Sequence, residues 1–225
     1  MPLALAHRGD WSACPENTLA AFRAAERAGA DMIELDVRRT ADGGVAVLHD
    51  PTLERVWGAP GTVAAATVEE LRALRRGEHS IATLEEALEA ISVAVMVDYT
   101  LADVVEPALE AVGGALDRVL FSGGNIEGHR RIRELAPDAR IALTWTNATP
   151  PAESLLDELG VEFFNPPYEH VDADVVDAMH ERGLKVSTWT VDDPGEMRRV
   201  VDLGVDAVIT NRISVLVSLL AEARC

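Results

Sequence analysis

Six side chains of chemically useful types stand where a strand-rich fold would gather them: His7, Arg8, Glu34, Asp36, His49 and Asp98. Glu34 and Asp36 alternate with Ile33, Leu35 and Val37. In a β-strand this spacing sends both carboxylates to one side and the three aliphatic residues to the other. Asp98 follows Ala94 and Met96 at the same spacing and is a third inward carboxylate. Bare carboxylates gathered out of water repel one another and are costly to desolvate. A hard divalent cation removes that conflict, and three oxygen ligands without thiolates suit Mg²⁺ or Ca²⁺ better than Zn²⁺. His7 and His49 each end a strand-like run. Histidine titrates near neutrality, so both rings suit proton transfer.

Taken singly, these residues also have structural readings. A strand-end histidine is often a satisfied structural residue. Glu34 could pair with Arg38 or Arg39 on the surface, and Asp98 could cap a helix starting near Leu101. Asp50 reads as a turn residue that could orient His49. Accident explains the joint arrangement less well, because the ionisable groups all fall at the expected C-terminal ends of strands. His79, His129, His170 and His180 lie in loops or helices and read as solvated surface.

To position such a set, the chain needs a rigid scaffold, and its apolar rhythm supplies one. Strand-like runs cover residues 3–7, 31–37, 45–49, 93–99, 118–122, 140–145, 162–165, 184–190 and 206–210. Helix-like stretches fill most of the gaps, at 18–28, 83–91, 101–112, 125–135, 153–159, 173–182, 195–203 and 214–223. Asn17 reads as the N-cap of the first helix and Gly29 as its C-terminal stop. Thr83 and Glu86 form a capping-box pattern. Repeated strand–helix units imply a parallel sheet. Between Val37 and Val45 there is no room for a crossover helix, and Asp42-Gly43 is a turn signal. The run 45–49 therefore returns antiparallel from strand 2, and eight parallel strands remain. The expectation is a single TIM (β/α)₈ barrel over residues 1–225, with a β-hairpin excursion after strand 2 and an irregular loop at 50–66 over the mouth. Active sites of such barrels lie at the C-terminal ends of the strands.

The chain has 225 residues, a normal length for such a barrel, and a formal charge of −18. That charge disfavours nonspecific nucleic-acid binding and attraction to anionic membranes. It also means that a small anionic substrate needs local positive charge. Two cysteines, Cys14 and Cys225, do not suggest a disulfide framework. No signal-peptide pattern opens the chain, and no apolar stretch reaches the ~20 residues that span a bilayer. A reduced, cytoplasmic protein without stable membrane association is expected.

The sequence resembles the glycerophosphodiester phosphodiesterases. The resemblance rests on His7-Arg8-Gly9, Pro15-Glu16-Asn17-Thr18, the run from Gly29 to Val37 with Glu34 and Asp36, then Thr40, Asp42-Gly43 and His49-Asp50. Late in the chain Trp189-Thr190-Val191 and the run from Gly204 to Thr210 also match. It implies a TIM-like barrel with a divalent metal on Glu34 and Asp36, general acid/base work on His7 and His49, and phosphate contact through Arg8. Trp189 is implied as the aromatic beside the alcohol part of the substrate, with barrel-core packing as its alternative.

The pattern departs from the family further along the chain. Where the family has Glu-x-Lys, strand 3 ends in Asp98-Tyr99-Thr100. Asp98 keeps the carboxylate for the metal, and Thr100 puts a neutral hydroxyl where a phosphate-binding cation is implied. Arg38, Arg39 or Arg55 could replace that cation, whereas Lys185 lies at the opposite end of its strand. The later Ser-Phe motif is reduced to Ser122-Gly123-Gly124, and the closing Thr-Asp becomes Thr210-Asn211. The expected activity is hydrolysis of a glycerophosphodiester, with one histidine as base and the other as acid. Alternatives are a related phosphodiesterase or phospholipase D-like enzyme on another head group, and a metal- or phosphate-binding pseudoenzyme. An unrelated metal-dependent barrel aldolase is disfavoured by the spacing of His7, Glu34, Asp36 and His49.

Overall fold

Each apolar run forms a strand in the computed structural model, which describes residues 1–12 and 14–223. Cys225 lies outside the described residues, and Cys14 is a free thiol. The strands are β1 (Leu3–His7), β2 (Met32–Arg39), β3 (Val45–Val47), β4 (Ala94–Tyr99), β5 (Val119–Gly123), β6 (Arg140–Thr144), β7 (Phe163–Asn165), β8 (Lys185–Thr188) and β9 (Ala207–Thr210). Their order is β1-β9-β8-β7-β6-β5-β4-β2-β3, and a further β1–β2 pairing closes eight parallel strands into a barrel. As expected, β3 stays outside the ring, antiparallel to β2, with Val37 opposite Val47.

Alternation divides the side chains into two layers. Leu5, Met32, Met96, Leu120, Ala142, Phe163, Ala207 and Ile209 fill the barrel interior. Ile33, Leu35 and Val37 face the helix layer, where Phe22, Leu84, Ile132 and Leu216 pack against the strands. Burying one large aliphatic or aromatic side chain fully contributes roughly 1.5–3 kcal/mol.

The first helix, α1 (Leu19–Arg27), is capped by Thr18, whose side chain accepts from the Ala21 N–H. The expected cap, Asn17, is instead committed to a longer-range partner described below. Helix α2 (Glu54–Trp57), a 3₁₀ turn (Val63–Ala65) and α3 (Val68–Ala73) occupy the segment after β3. The expected irregular loop at 50–66 is therefore partly helical. Leu53, Val56 and Trp57 fall at helical spacing and close a small core with Ala46, Leu48, Val63, Leu71 and Ile81.

The remaining helices are α4 (Leu84–Ala90), α5 (Val105–Val112), α6 (Ile126–Leu135), α7 (Glu153–Leu159), α8 (Ala173–Glu181), α9 (Pro194–Asp202) and α10 (Ile213–Glu222). The capping box of Thr83 and Glu86 on α4 is present. Helix α5 starts at Val105, later than the expected 101, after a 3₁₀ turn. Pro107 accounts for the delay: proline lacks an N–H, so it is tolerated only in a helix's first turn. No described helix is long and apolar enough to cross a membrane.

Candidate active site

Register builds the site row by row. His7 on β1 lies beside Glu34 on β2. One row higher, Asp36 lies beside Asp98 on β4, and Asp98 beside Ser122 on β5. The polar row continues through hydrogen bonds. Ser122 and Thr144 hydroxyls are 3.2 Å apart, Asn165 donates to Thr144, and Ser187 donates to Asn165 Oδ1. This belt surrounds a cavity of about 170 Å³ above the apolar filling, lined by His7, Arg8, Glu34, Asp36, His49, Asp98 and Trp189 among others.

The end of β1 is bent sharply into the site. Arg8 has φ 60°, in the left-handed region that costs a non-glycine residue about 1 kcal/mol or more. Its backbone N–H meets both the Glu34 carbonyl and the Glu34 carboxylate at 2.9 Å. Gly9 follows with φ 81°, and a Cβ there would sit 2.7 Å from the Ala21 backbone. Arg8 donates through Nη1 to Glu16 at 2.9 Å. Its Nε lies 3.1 Å from Asp36 Oδ2, out of line for a hydrogen bond, and is a buried donor without an acceptor. Asn17, at φ 56° and buried, donates to Asp36 Oδ2 at 2.8 Å and accepts from the Asp36 N–H.

Behind His7, Nδ1 is 2.7 Å from Asn211 Oδ1. The Asn211 amide nitrogen donates to Asp192 at 2.7 Å, so its oxygen must face His7. The ring then carries its proton on Nδ1 and presents a bare Nε2, 4.0 Å from Glu34. Burial, followed by the nearby Arg8 charge, lowers the His7 pKa. His49 is more exposed, and its Nδ1 is 2.7 Å from Asp50 Oδ1. Arg55 grips Asp50 and Glu16 together. The hydrogen bond from Arg55 is the main cause that holds Asp50 at about 2. Burial would raise the Glu16 carboxyl, but hydrogen bonds from Arg55 and Arg8 outweigh it.

The three inward acids are electrostatically uncomfortable. Burial first, then the charges of Asp36 and Asp98, push Glu34 well above the ordinary carboxylate range. Asp98 is pushed up to about 7 by burial and by Asp36. Among the described residues, no group of three histidine, cysteine or acidic side chains is placed to hold a metal ion as it stands. The donor chemistry nevertheless fits one. Glu34, Asp36 and Asp98 offer only oxygens, line one cavity and carry repulsion that a divalent cation would relieve.

Of the residues singled out from sequence, His7, Arg8, Glu34, Asp36, His49, Asp98 and Trp189 line this one cavity. Trp189 also packs against the barrel filling, and its Nε1 donates to the Asn165 carbonyl. Thr100 does not join them. It lies past the end of β4, exposed and outside the cavity lining, because strand alternation lapses where the ladder stops at Tyr99. His129 is fully buried, contrary to the surface expectation, and bridges Tyr99 Oη and the Gly123 carbonyl at 2.8 Å each. His79 and His170 are half-buried, and His180 is exposed. Thr144 and Asn165, which sequence reasoning passed over, also line the cavity. The available signal was their place as polar residues at the ends of β6 and β7, where they pair with each other in register.

Comparison with known proteins agrees with this geometry. Residues 7–215 match the Glycerophosphoryl diester phosphodiesterase family. The chain is 32% identical to a glycerophosphodiester phosphodiesterase of Caldanaerobacter subterraneus subsp. tengcongensis, with 98% of each chain covered. It is 30% identical to one from Bacillus altitudinis, covering 92% of this chain and 93% of that one. The crystal structure of the Thermotoga maritima glycerophosphodiester phosphodiesterase superposes with a TM-score of 0.86 at 27% identity, over 97% of this chain and 98% of the other. An Oleispira antarctica phosphodiesterase in complex with the product sn-glycerol-3-phosphate shares the fold, with a TM-score of 0.91 at 23% identity over 98% and 97% of the two chains.

Proposed function

The chain belongs to the glycerophosphoryl diester phosphodiesterase family, and from that premise we propose that it hydrolyses glycerophosphodiesters to an alcohol and glycerol phosphate with a divalent metal and two histidines. The observation that carries this reading is one cavity collecting His7, Arg8, Glu34, Asp36, His49 and Asp98 from four separate stretches of sequence. Glu34, Asp36 and Asp98 would hold the metal, Mg²⁺ or Ca²⁺. Bound there, it supplies charge neutralisation at a non-bridging phosphate oxygen.

The unsatisfied Nε–H of Arg8 is a ready donor to a second phosphate oxygen. His7, bare at Nε2, takes the proton of the attacking water or vicinal hydroxyl. His49, oriented by the Asp50 carboxylate, gives its proton to the departing alkoxide as the P–O bond breaks. The Asn211 amide oxygen behind His7 leaves its Nε2 bare to accept, and the Asp50 carboxylate behind His49 holds that ring at Nδ1 with Nε2 free to donate, so we assign the roles from the two supports. Attack by a vicinal hydroxyl passes through a cyclic phosphate. Trp189 would pack beside the alcohol moiety. A small soluble diester fits a cavity of about 170 Å³, and a charge of −18 argues against nucleic acid or an anionic membrane as partner. The reading keeps the enzyme in the cytoplasm.

A panel of phosphodiesters, assayed with Mg²⁺, with Ca²⁺ and after exhaustive chelation, tests the proposal. Metal-dependent release of glycerol phosphate is expected. Undiminished turnover after chelation would remove the metal from the reading, and turnover of no diester would remove the activity.

A further inference from the structure

We propose that Arg38 is a substrate-binding residue that meets the phosphate charge at the rim of the cavity, an inference that rests on the phosphodiesterase reading. Glu34, Asp36 and Arg38 are successive same-side positions of β2, so the guanidinium rises from the strand face that carries the two acids. The β2–β4 ladder pairs Asp36 with Asp98 and Val37 with Tyr99. Arg38 is thus the next step up on β2, level with Thr100 on the neighbouring chain segment.

Its competitors are already engaged. Arg55 is locked on Asp50 and Glu16, and the Arg8 side chain, beside Glu16 and Asp36, keeps only its Nε–H for a phosphate oxygen. Arg39 is exposed and has the outward parity of Val37. Arg38 is tied only through Nε, which donates to the His49 carbonyl at 2.6 Å. Among the described residues its two terminal nitrogens have no hydrogen-bond partner. Burial lowers the pKa of its guanidinium, and the nearby carboxylates of Asp36, Asp50, Asp103 and Asp98 act in the opposite sense. A guanidinium fixed by one nitrogen beside His49, with two nitrogens open, is preorganised to take an anionic oxygen.

The site needs such a group. Three inward carboxylates face one cavity whose only lining arginine, among the described residues, is already paired with acids. A phosphodiester brings a further negative charge, and Arg38 meets it on the His49 side. The side chain does not line the cavity itself; it lines a neighbouring groove with Val37, Arg39, Pro51, Leu101 and Val104, and reaches the cavity edge through its bond to the His49 carbonyl.

The test uses two readouts on the full chain. One is kcat/KM on glycerophosphocholine with metal. The other is the affinity of the metal-free protein for sn-glycerol 3-phosphate, measured by calorimetry. Arg38→Gln should lower both by roughly tenfold, the effect of losing one charge-assisted contact. Arg38→Lys should stay within a few-fold of wild type and guards against a folding defect. Unchanged product affinity in Arg38→Gln would overturn the proposal and leave Arg38 as a brace for the His49 segment. If wild type turned over no diester, the functional reading would fail, while the binding measurement would still decide the role of Arg38.

Discussion

His7 and His49 differ in what stands behind their Nδ1 atoms, and that difference underlies the separate tasks proposed for them. The His7 support is a relay of neutral amide and remote carboxylate, Asn211 then Asp192. His49 leans directly on Asp50, itself held by Arg55. Both supports occupy Nδ1 and leave Nε2 for the proton transfers proposed above. His7→Ala and His49→Ala should each lower kcat by roughly 10²–10⁴, as for other general acid–base groups. Steady-state kinetics on the best substrate of the panel checks this, and wild-type kcat in either variant would return that histidine to a structural role. The strained φ of 60° at Arg8 belongs to the same scale. It allows one residue to anchor Glu34 through its backbone and pair with Glu16 through its side chain.

Element packing sets the environment of His129. Helix α6 presents it to the end of β4, where Tyr99 and the Gly123 carbonyl take its two nitrogens. Gly128 makes the approach possible, since a Cβ there would lie 2.4 Å from the Tyr99 ring. Burial, the largest cause, pushes the His129 pKa down to about 4 from an ordinary 6.5. A neutral buried histidine binds fewer protons than the unfolded chain, so its contribution to stability is complete above pH 6.5. That contribution shrinks as pH falls towards 4, by up to about 3 kcal/mol. Asp98 acts with the opposite sign in an overlapping window, because its folded pKa is raised to about 7. Comparing urea midpoints of wild type and His129→Gln at pH 7 and pH 5 isolates the histidine. Wild type should lose more stability than the variant on acidification, and equal losses would refute the assignment.

At the scale of the whole molecule, barrel closure gathers the acids proposed to hold the metal. β1 and β2 meet at His7 and Glu34, and the His7–Asn211 contact joins the first strand to the segment after the last. Acids on β2 and β4 crowd the top of this closed ring without a full complement of cations. A ligand that binds only the folded state stabilises it by mass action, about 2.7 kcal/mol at one hundred times Kd. Saturating Mg²⁺ or Ca²⁺ should therefore raise Tm by several degrees. Glu34→Gln and Asp36→Asn should abolish the rise without unfolding the protein, since each removes one buried charge. Scanning calorimetry with and without chelator checks this. A metal-induced rise that survives in both variants would place the metal elsewhere.

Local rules determined much of this protein from sequence alone. Two-residue alternation was enough to turn Glu34, Asp36 and Asp98 inward, and Asp42-Gly43 was enough to turn β3 back on β2. Both effects act over a few residues, so the order of side chains specifies them. What only the tertiary structure decided involves partners far apart in the chain. Asn17 looked like a helix cap and became a ligand to the Asp36 carboxylate, 19 residues away. Thr100 lost its inward direction because the ladder ends at Tyr99, and ladder length depends on the neighbouring strands. His129 looked solvated until Tyr99, 30 residues distant, closed over it. The choice of Arg38 among three candidate arginines rests on the same reason. Glu16 and Asp50 engage Arg55, Glu16 is shared with Arg8, and no local pattern records that sharing. Short-range sterics and hydrogen bonding place a side chain on a face, whereas competition for partners across the fold decides which of those side chains stay available for chemistry.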